Sequence, residues 1–136
     1  MNMLGTFAIG LIFSIVSLGA AAGSFDGSEP LMCASVETHD CQPGDTCIKG
    51  LAEDIDAPQF IRLDFERGVA RTTRANGEER TAKIQKSTQE TGRLILQGVQ
   101  QGLGWTLTIS QLDGTMTLTA AGDGVAFVVF GACTPL

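Results

Sequence analysis

From Gln59 onward the chain alternates apolar and polar side chains in short runs, and turn residues interrupt it about every eight to twelve positions. A period of two places successive side chains on opposite faces, so each run predicts a strand with one apolar and one wet face. The predicted strands are 59–66, 69–74, 80–88, 93–99, 105–110, 116–120 and 125–132. Ile61, Leu63 and Phe65 share one face while Arg62, Asp64 and Glu66 share the other; Trp105, Leu107 and Ile109 oppose Thr106, Thr108 and Ser110. Residues 125–132 are apolar on both faces, which predicts a strand that is central or covered on its outer side. Connections such as Ala75-Asn76-Gly77-Glu78, Gly102-Leu103-Gly104 and Asp113-Gly114 suit tight hairpins, because Asn-Gly and Asp-Gly tolerate positive φ. The economical topology joins neighbours in sequence as neighbours in space. The expected fold is mainly β: an antiparallel meander of about seven strands forming a curved sheet or small barrel.

Residues 23–58 break this pattern. They are rich in Gly, Pro, Asp and Ser and hold no sustained period, which predicts an irregular segment with one short helix near 33–38. Ahead of them, Met1 to Phe25 carry no charged side chain, and an apolar run from Leu4 to Leu18 leads to Ala20-Ala21-Ala22. This is the pattern of a signal peptide over 1–22, cleaved after Ala22. An uncleaved anchor over Met3 to Ala22 is the alternative, since this stretch is uncharged and about twenty such residues span a bilayer. Residues 23–136 then suffice for one domain and not for two.

Cys33, Cys41 and Cys47 lie in the irregular segment, and Cys133 stands near the C-terminus. In a small exported domain such a set reads as two disulfides, and it indicates a periplasmic or secreted address. Of the three possible pairings, each joins Cys133 to the N-terminal cluster. The favoured one links Cys41 to Cys47 across the Pro43-Gly44 turn and Cys33 to Cys133.

Fifteen acids against nine Lys and Arg give a net charge of −6, which argues against general affinity for nucleic acid. The charges are segregated. Eight acids lie between Asp26 and Asp56 with Lys49 alone, and the other eight bases lie between Arg62 and Arg93.

The runs Cys33, Asp40-Cys41, Gly44, Cys47, then Phe60-Ile61-Arg62-Leu63-Asp64-Phe65, Leu94-Ile95-Leu96-Gln97-Gly98, Gly104-Trp105-Thr106-Leu107 and Phe130-Gly131-Ala132-Cys133 resemble small exported proteins of Gram-negative bacteria, particularly alphaproteobacteria. The resemblance implies a periplasmic address and oxidised cysteines. It brings no activity and no functional residues with it.

Candidate chemistry is sparse. Cys33, His39, Cys41 and Cys47 lack the spacing of a zinc site, and no CxxC redox motif is present. His39 beside Asp40 and Ser35 lacks a nucleophile elbow, and Glu53-Asp54-Ile55-Asp56 lacks the pattern of a calcium loop. No metal and no cofactor are therefore expected. Two surfaces are worth testing: Arg62, Arg71, Lys83 and Arg93 as an anion-binding stripe, and Trp105, Phe60 and Phe127 as the lining of a small-ligand cavity, to which Phe65 and Phe130 could add. The expected function is a non-enzymatic periplasmic binding or interaction module, taking a periplasmic protein or a small anionic ligand as partner. The alternatives are an enzyme inhibitor or accessory subunit, and a small hydrolase using isolated carboxylates such as Asp64 and Glu66.

Overall fold

The computed structural model describes residues 24–136, so the expected signal segment 1–22 lies outside the described residues. Ten strands form one antiparallel sheet: β1 (Leu31–Cys41), β2 (Ile48–Gly50), β3 (Phe60–Asp64), β4 (Val69–Thr73), β5 (Glu79–Lys83), β6 (Lys86–Glu90), β7 (Arg93–Gln100), β8 (Leu103–Ser110), β9 (Thr115–Gly122) and β10 (Val125–Pro135), with one 3-10 turn at Ala52–Ile55. Nine of them follow the order β5-β4-β3-β1-β10-β9-β8-β7-β6, and β2 pairs beside β1. The sheet curls into a half-barrel whose two end strands, β5 and β6, are consecutive in the chain.

Nine strands along the path replace the seven expected, for two reasons. The single strand expected at 80–88 is two. At Ile84 and Gln85 the chain leaves one edge of the sheet for the other: Ile84 N–H donates to the Gly68 carbonyl (2.9 Å), while Gln85 N–H donates to the Gln97 carbonyl on β7 (2.8 Å). An extended backbone passes through this bend, so the residue pattern does not mark it.

The second addition is β1. The segment expected to be irregular, with a helix near 33–38, instead supplies a long strand in the middle of the sheet, between β3 and β10. A bulge between Ser35 and Glu37 hides its alternation. Before the bulge the buried residues are Leu31 and Cys33; after it the buried residue is Thr38, one position out of phase. Val36 is the extra residue, and it faces solvent. The expectation that residues 125–132 form a central strand holds, since β10 lies between β1 and β9.

Cys33 and Cys133 are directly opposed across β1 and β10 and are joined as a disulfide, and Cys41 is joined to Cys47. The first bridge lies in the core among Leu31, Ile61, Leu63, Leu94, Leu96, Leu107, Ile109, Met116 and Val129. Each is an inward position of an alternating strand, and burying such a side chain is worth about 1.5–3 kcal/mol.

The two ends of the half-barrel differ. At one end the chain from Phe25 to Pro30 lies across the opening. Phe25 and Phe65 pack against the core, the Gln89 amide donates to the Asp26 carbonyl (2.7 Å), and Leu136 N–H donates to the Pro30 carbonyl (3.0 Å). At the opposite end, residues 51–58 fill the wall where β3 stops short of β1. Thr38, fully buried, donates its hydroxyl toward the Gly50 and Leu51 carbonyls (2.9 and 3.0 Å), and Ser35 donates to the Pro58 carbonyl (2.6 Å). Among the described residues no segment plugs this second end.

Candidate functional site

A cavity of about 300 Å³ opens at the unplugged end. Its wall is apolar: Ile61, Ala70, Ala82, Leu103, Trp105, Leu107, Leu118, Ala120, Phe127 and Val129, with Ile55, Ala57 and Pro58 from the wall-filling segment. Small residues keep it open, because Ala70, Ala82 and Ala120 stand inward on three strands where larger side chains would meet in the middle. The volume is at the lower bound of ordinary small-molecule sites.

Trp105 forms one side of this space. It is paired across the sheet with Gly98, and a side chain at 98 would meet the indole at once: an ideal Cβ there lies 2.4 Å from Trp105 Cζ2 and 2.6 Å from the Lys83 carbonyl. Glycine at 98 therefore lets the ring lie against β7 near the point where the end of β5 approaches it. The indole Nε1 is buried and has no hydrogen-bond partner among the described residues. Asp40 Oδ1 is likewise buried and without a partner among the described residues, but Asp40 does not line the cavity.

The mouth is polar and ion-paired. Arg74, just beyond β4, and Arg80, on β5, both line the cavity, with side chains only 16% and 26% exposed. Arg74 pairs with Asp56 and, at 3.8 Å, with Glu78; Arg80 donates from Nε to Glu78 Oε1 at 2.9 Å and from Nη1 to Gln101 Oε1 at 2.5 Å. Three separate stretches of chain thus meet at the opening: the β4–β5 hairpin, Asp56 and Gln101. The hydrogen bond from Arg80, helped by the charges of Arg80 and Arg74, holds the Glu78 carboxyl below the usual glutamate range. Gln101 and Asp56 both have left-handed backbones, with φ of 52° and 56°. Gln101 and Gly102 form the two-residue turn between β7 and β8, so Leu103, expected in the connection, begins β8.

Of the residues expected to line a cavity, Trp105 and Phe127 do so and Phe60 does not. Phe60 alternates with the inward Ile61 and Leu63 and so stands on the outer face, 43% exposed. Phe65 packs at the plugged end, and Phe130 lies on the outer face with its ring edge-on to His39 at 5.9 Å.

The expected anion stripe is only partly assembled. Arg62 and Arg71 are directly opposed on β3 and β4, exposed, and without an ion pair among the described residues. Lys83 stands on β5 opposite Val69, one position along the same outer face. Arg93 is remote, at the start of β7 between Glu90 and Ser110. Arg74 and Arg80, which do converge, carry a signal in their parity: they continue the inward series of Ala70 and Thr72 and of Ala82.

Among the described residues the other candidates are not brought together into a cluster. His39 Nε2 is 2.8 Å from Glu37 Oε1, and Ser35 is committed to the Pro58 carbonyl. Lys49 also binds Glu37, at 2.5 Å, and the two partners together lower the Glu37 pKa, the Lys49 hydrogen bond most. Asp54 Oδ2 accepts from Leu51 N–H (2.6 Å), and Asp56 holds Arg74. Asp64 accepts from Arg67 N–H (2.9 Å) in the turn after β3, at the plugged end and away from the cavity, and Glu66 is in that same turn. Among the described residues no group of three metal-ligating side chains is brought together.

Comparison of the chain with protein-family models, curated proteins and solved structures gives no match.

Proposed function

We propose that the protein is a non-enzymatic binding module of the periplasm that holds a small, largely apolar molecule in the cavity beside Trp105. The observation that carries this reading is the combination of an apolar pocket at one end of the half-barrel with a plug at the other. A folded domain this small has little interior to leave empty, since unfilled volume weakens a core by roughly 24 cal/mol per Å³. The Cys33–Cys133 disulfide joins β1 to β10, which lines the space with Phe127 and Val129 and so gives it a rigid wall, and the disulfides accord with an oxidising, exported compartment.

The test is the thermal unfolding midpoint with octanol as probe. Ligand that binds only the folded state raises the midpoint, by an amount that grows with its concentration above Kd. The midpoint of the wild-type protein rises with octanol. Ala120→Phe, which fills the cavity, shows no rise. Equal behaviour of the two proteins would overturn the reading.

A second reading, an inhibitor or accessory subunit, is favoured by one feature. The loop between Cys41 and Cys47 is exposed throughout, closed by its own disulfide and followed by Ile48 at 69% exposure. A short bridge of this kind pre-orders a protruding loop for contact with another protein. Under this reading, replacing Pro43, Gly44 and Asp45 by serines abolishes association with a periplasmic partner and leaves octanol binding intact.

A further inference from the structure

We propose that Arg74 and Arg80 form a carboxylate site at the mouth of the cavity, and that the Glu78 side chain occupies it as an internal stand-in until a ligand's carboxylate takes its place. This rests on the cavity-binding reading and adds the ligand's class: an acid with an apolar body.

The two guanidiniums are unlike the other arginines of the chain. Arg62 and Arg71 point away from the interior into water, whereas Arg74 and Arg80 are mostly covered and border apolar wall. A guanidinium in such a place needs carboxylate or amide partners, because a half-buried charge left unpaired is costly. Gln101 anchors Arg80 and Asp56 anchors Arg74 from opposite sides of the opening, and both anchors lie in tight, left-handed positions of the backbone. Those contacts fix the arginines whether or not Glu78 is present.

Glu78 is the replaceable member. It sits in the turn joining β4 to β5, where Arg74 N–H donates to its carbonyl (2.9 Å) and its own N–H donates to Asn76 Oδ1 (2.9 Å), and its side chain is 45% exposed. Its backbone therefore stays in place while the carboxylate rotates into solvent. A ligand carboxylate entering between the two arginines restores the charge that leaves, so the exchange alters no net charge at the site. Behind that position lies the apolar cavity, which both arginines border. The ligand that satisfies both halves is a small amphiphilic acid with its tail beside Trp105 and its head at the mouth.

Octanoate and octanol share a tail and differ in the head, and Trp105, the sole tryptophan, reports both by its emission. Wild-type protein prefers octanoate. Glu78→Gln removes the competing carboxylate and tightens octanoate about tenfold, leaving octanol unchanged, in line with one charge-assisted hydrogen bond. Glu78→Ala does the same, which guards against an effect of the new amide. Arg80→Gln erases the preference. Equal affinity of the wild type for the two probes, or no tightening of octanoate in either Glu78 variant, would overturn the carboxylate site and leave the cavity reading standing. Failure of both probes to bind would remove both.

Discussion

The Trp105 indole occupies the space that any side chain at Gly98 would need, with the two residues facing each other across β7 and β8. Gly98→Ala should therefore push the ring into the cavity or toward solvent. The expected outcome is a loss of about 1–3 kcal/mol in urea unfolding, the usual range for overpacking, together with a shift of the tryptophan emission to longer wavelength. Unchanged emission would show that the ring does not lie against β7.

Cys33–Cys133 closes a loop of 100 residues in sequence separation, and Cys41–Cys47 one of 6. On the chain-entropy model the long loop is worth about 4.7 kcal/mol and the short one about 2 kcal/mol. The long bridge also lies in the core, while Cys47 is exposed. Paired alanine replacement at Cys33 and Cys133 should lower the denaturation midpoint far more than paired replacement at Cys41 and Cys47. Equal losses would contradict the placement of the first bridge at the centre of the sheet.

Much of the sheet was legible in the sequence. Strands β3, β8 and β9 alternate between apolar and polar side chains, and their inward residues Ile61, Leu63, Leu107, Ile109 and Met116 are found in the core. Strand β1 was not legible, because the bulge at Val36 shifts the buried phase and the acidic, Gly- and Pro-containing surroundings resemble a loop. The split between β5 and β6 leaves no mark on the residues, since only long-range pairing decides where an extended chain changes partners. Nor does alternation identify a two-residue turn at Gln101 and Gly102, as glutamine seldom takes a left-handed backbone.

The candidate site was half legible for a similar reason. Trp105 and Phe127 have both aromatic character and inward parity. Phe60 has only the first, for it shares its face with Arg62, and face outweighs residue type in deciding what lines a cavity. Arg74 and Arg80 have inward parity without an apolar side chain, and their meeting with Asp56 and Gln101 depends on how the sheet curls.

Glu78 also sets an acid limb. Its carboxyl is held below its ordinary value of about 4.3 by Arg80 and Arg74, so its contribution to stability is present above that pH and is lost as pH falls through the lowered folded value. Asp26 behaves in the same way: hydrogen bonds from Ser24 and Ser28 lower it to about 2. Glu78→Gln should therefore flatten the fall in unfolding midpoint on acidification below about pH 4.3. An acid limb identical to that of the wild type would show that Glu78 is not engaged by the arginines.

Arg62 and Arg71 are like charges directly opposed on the outer face, an arrangement that destabilises a sheet. Arg71→Glu should stabilise the protein by about 0.2–1 kcal/mol in urea unfolding. A loss instead would mean that the pair meets an anionic partner within the folded protein.

The most direct test of the cavity is a titration of the wild-type protein with octanol, followed by the emission of Trp105. The account predicts a saturable change that Ala120→Phe abolishes, because both the probe and the new ring would fill the same space. Emission that stays constant up to the solubility limit of octanol, or that changes equally in Ala120→Phe, would contradict it.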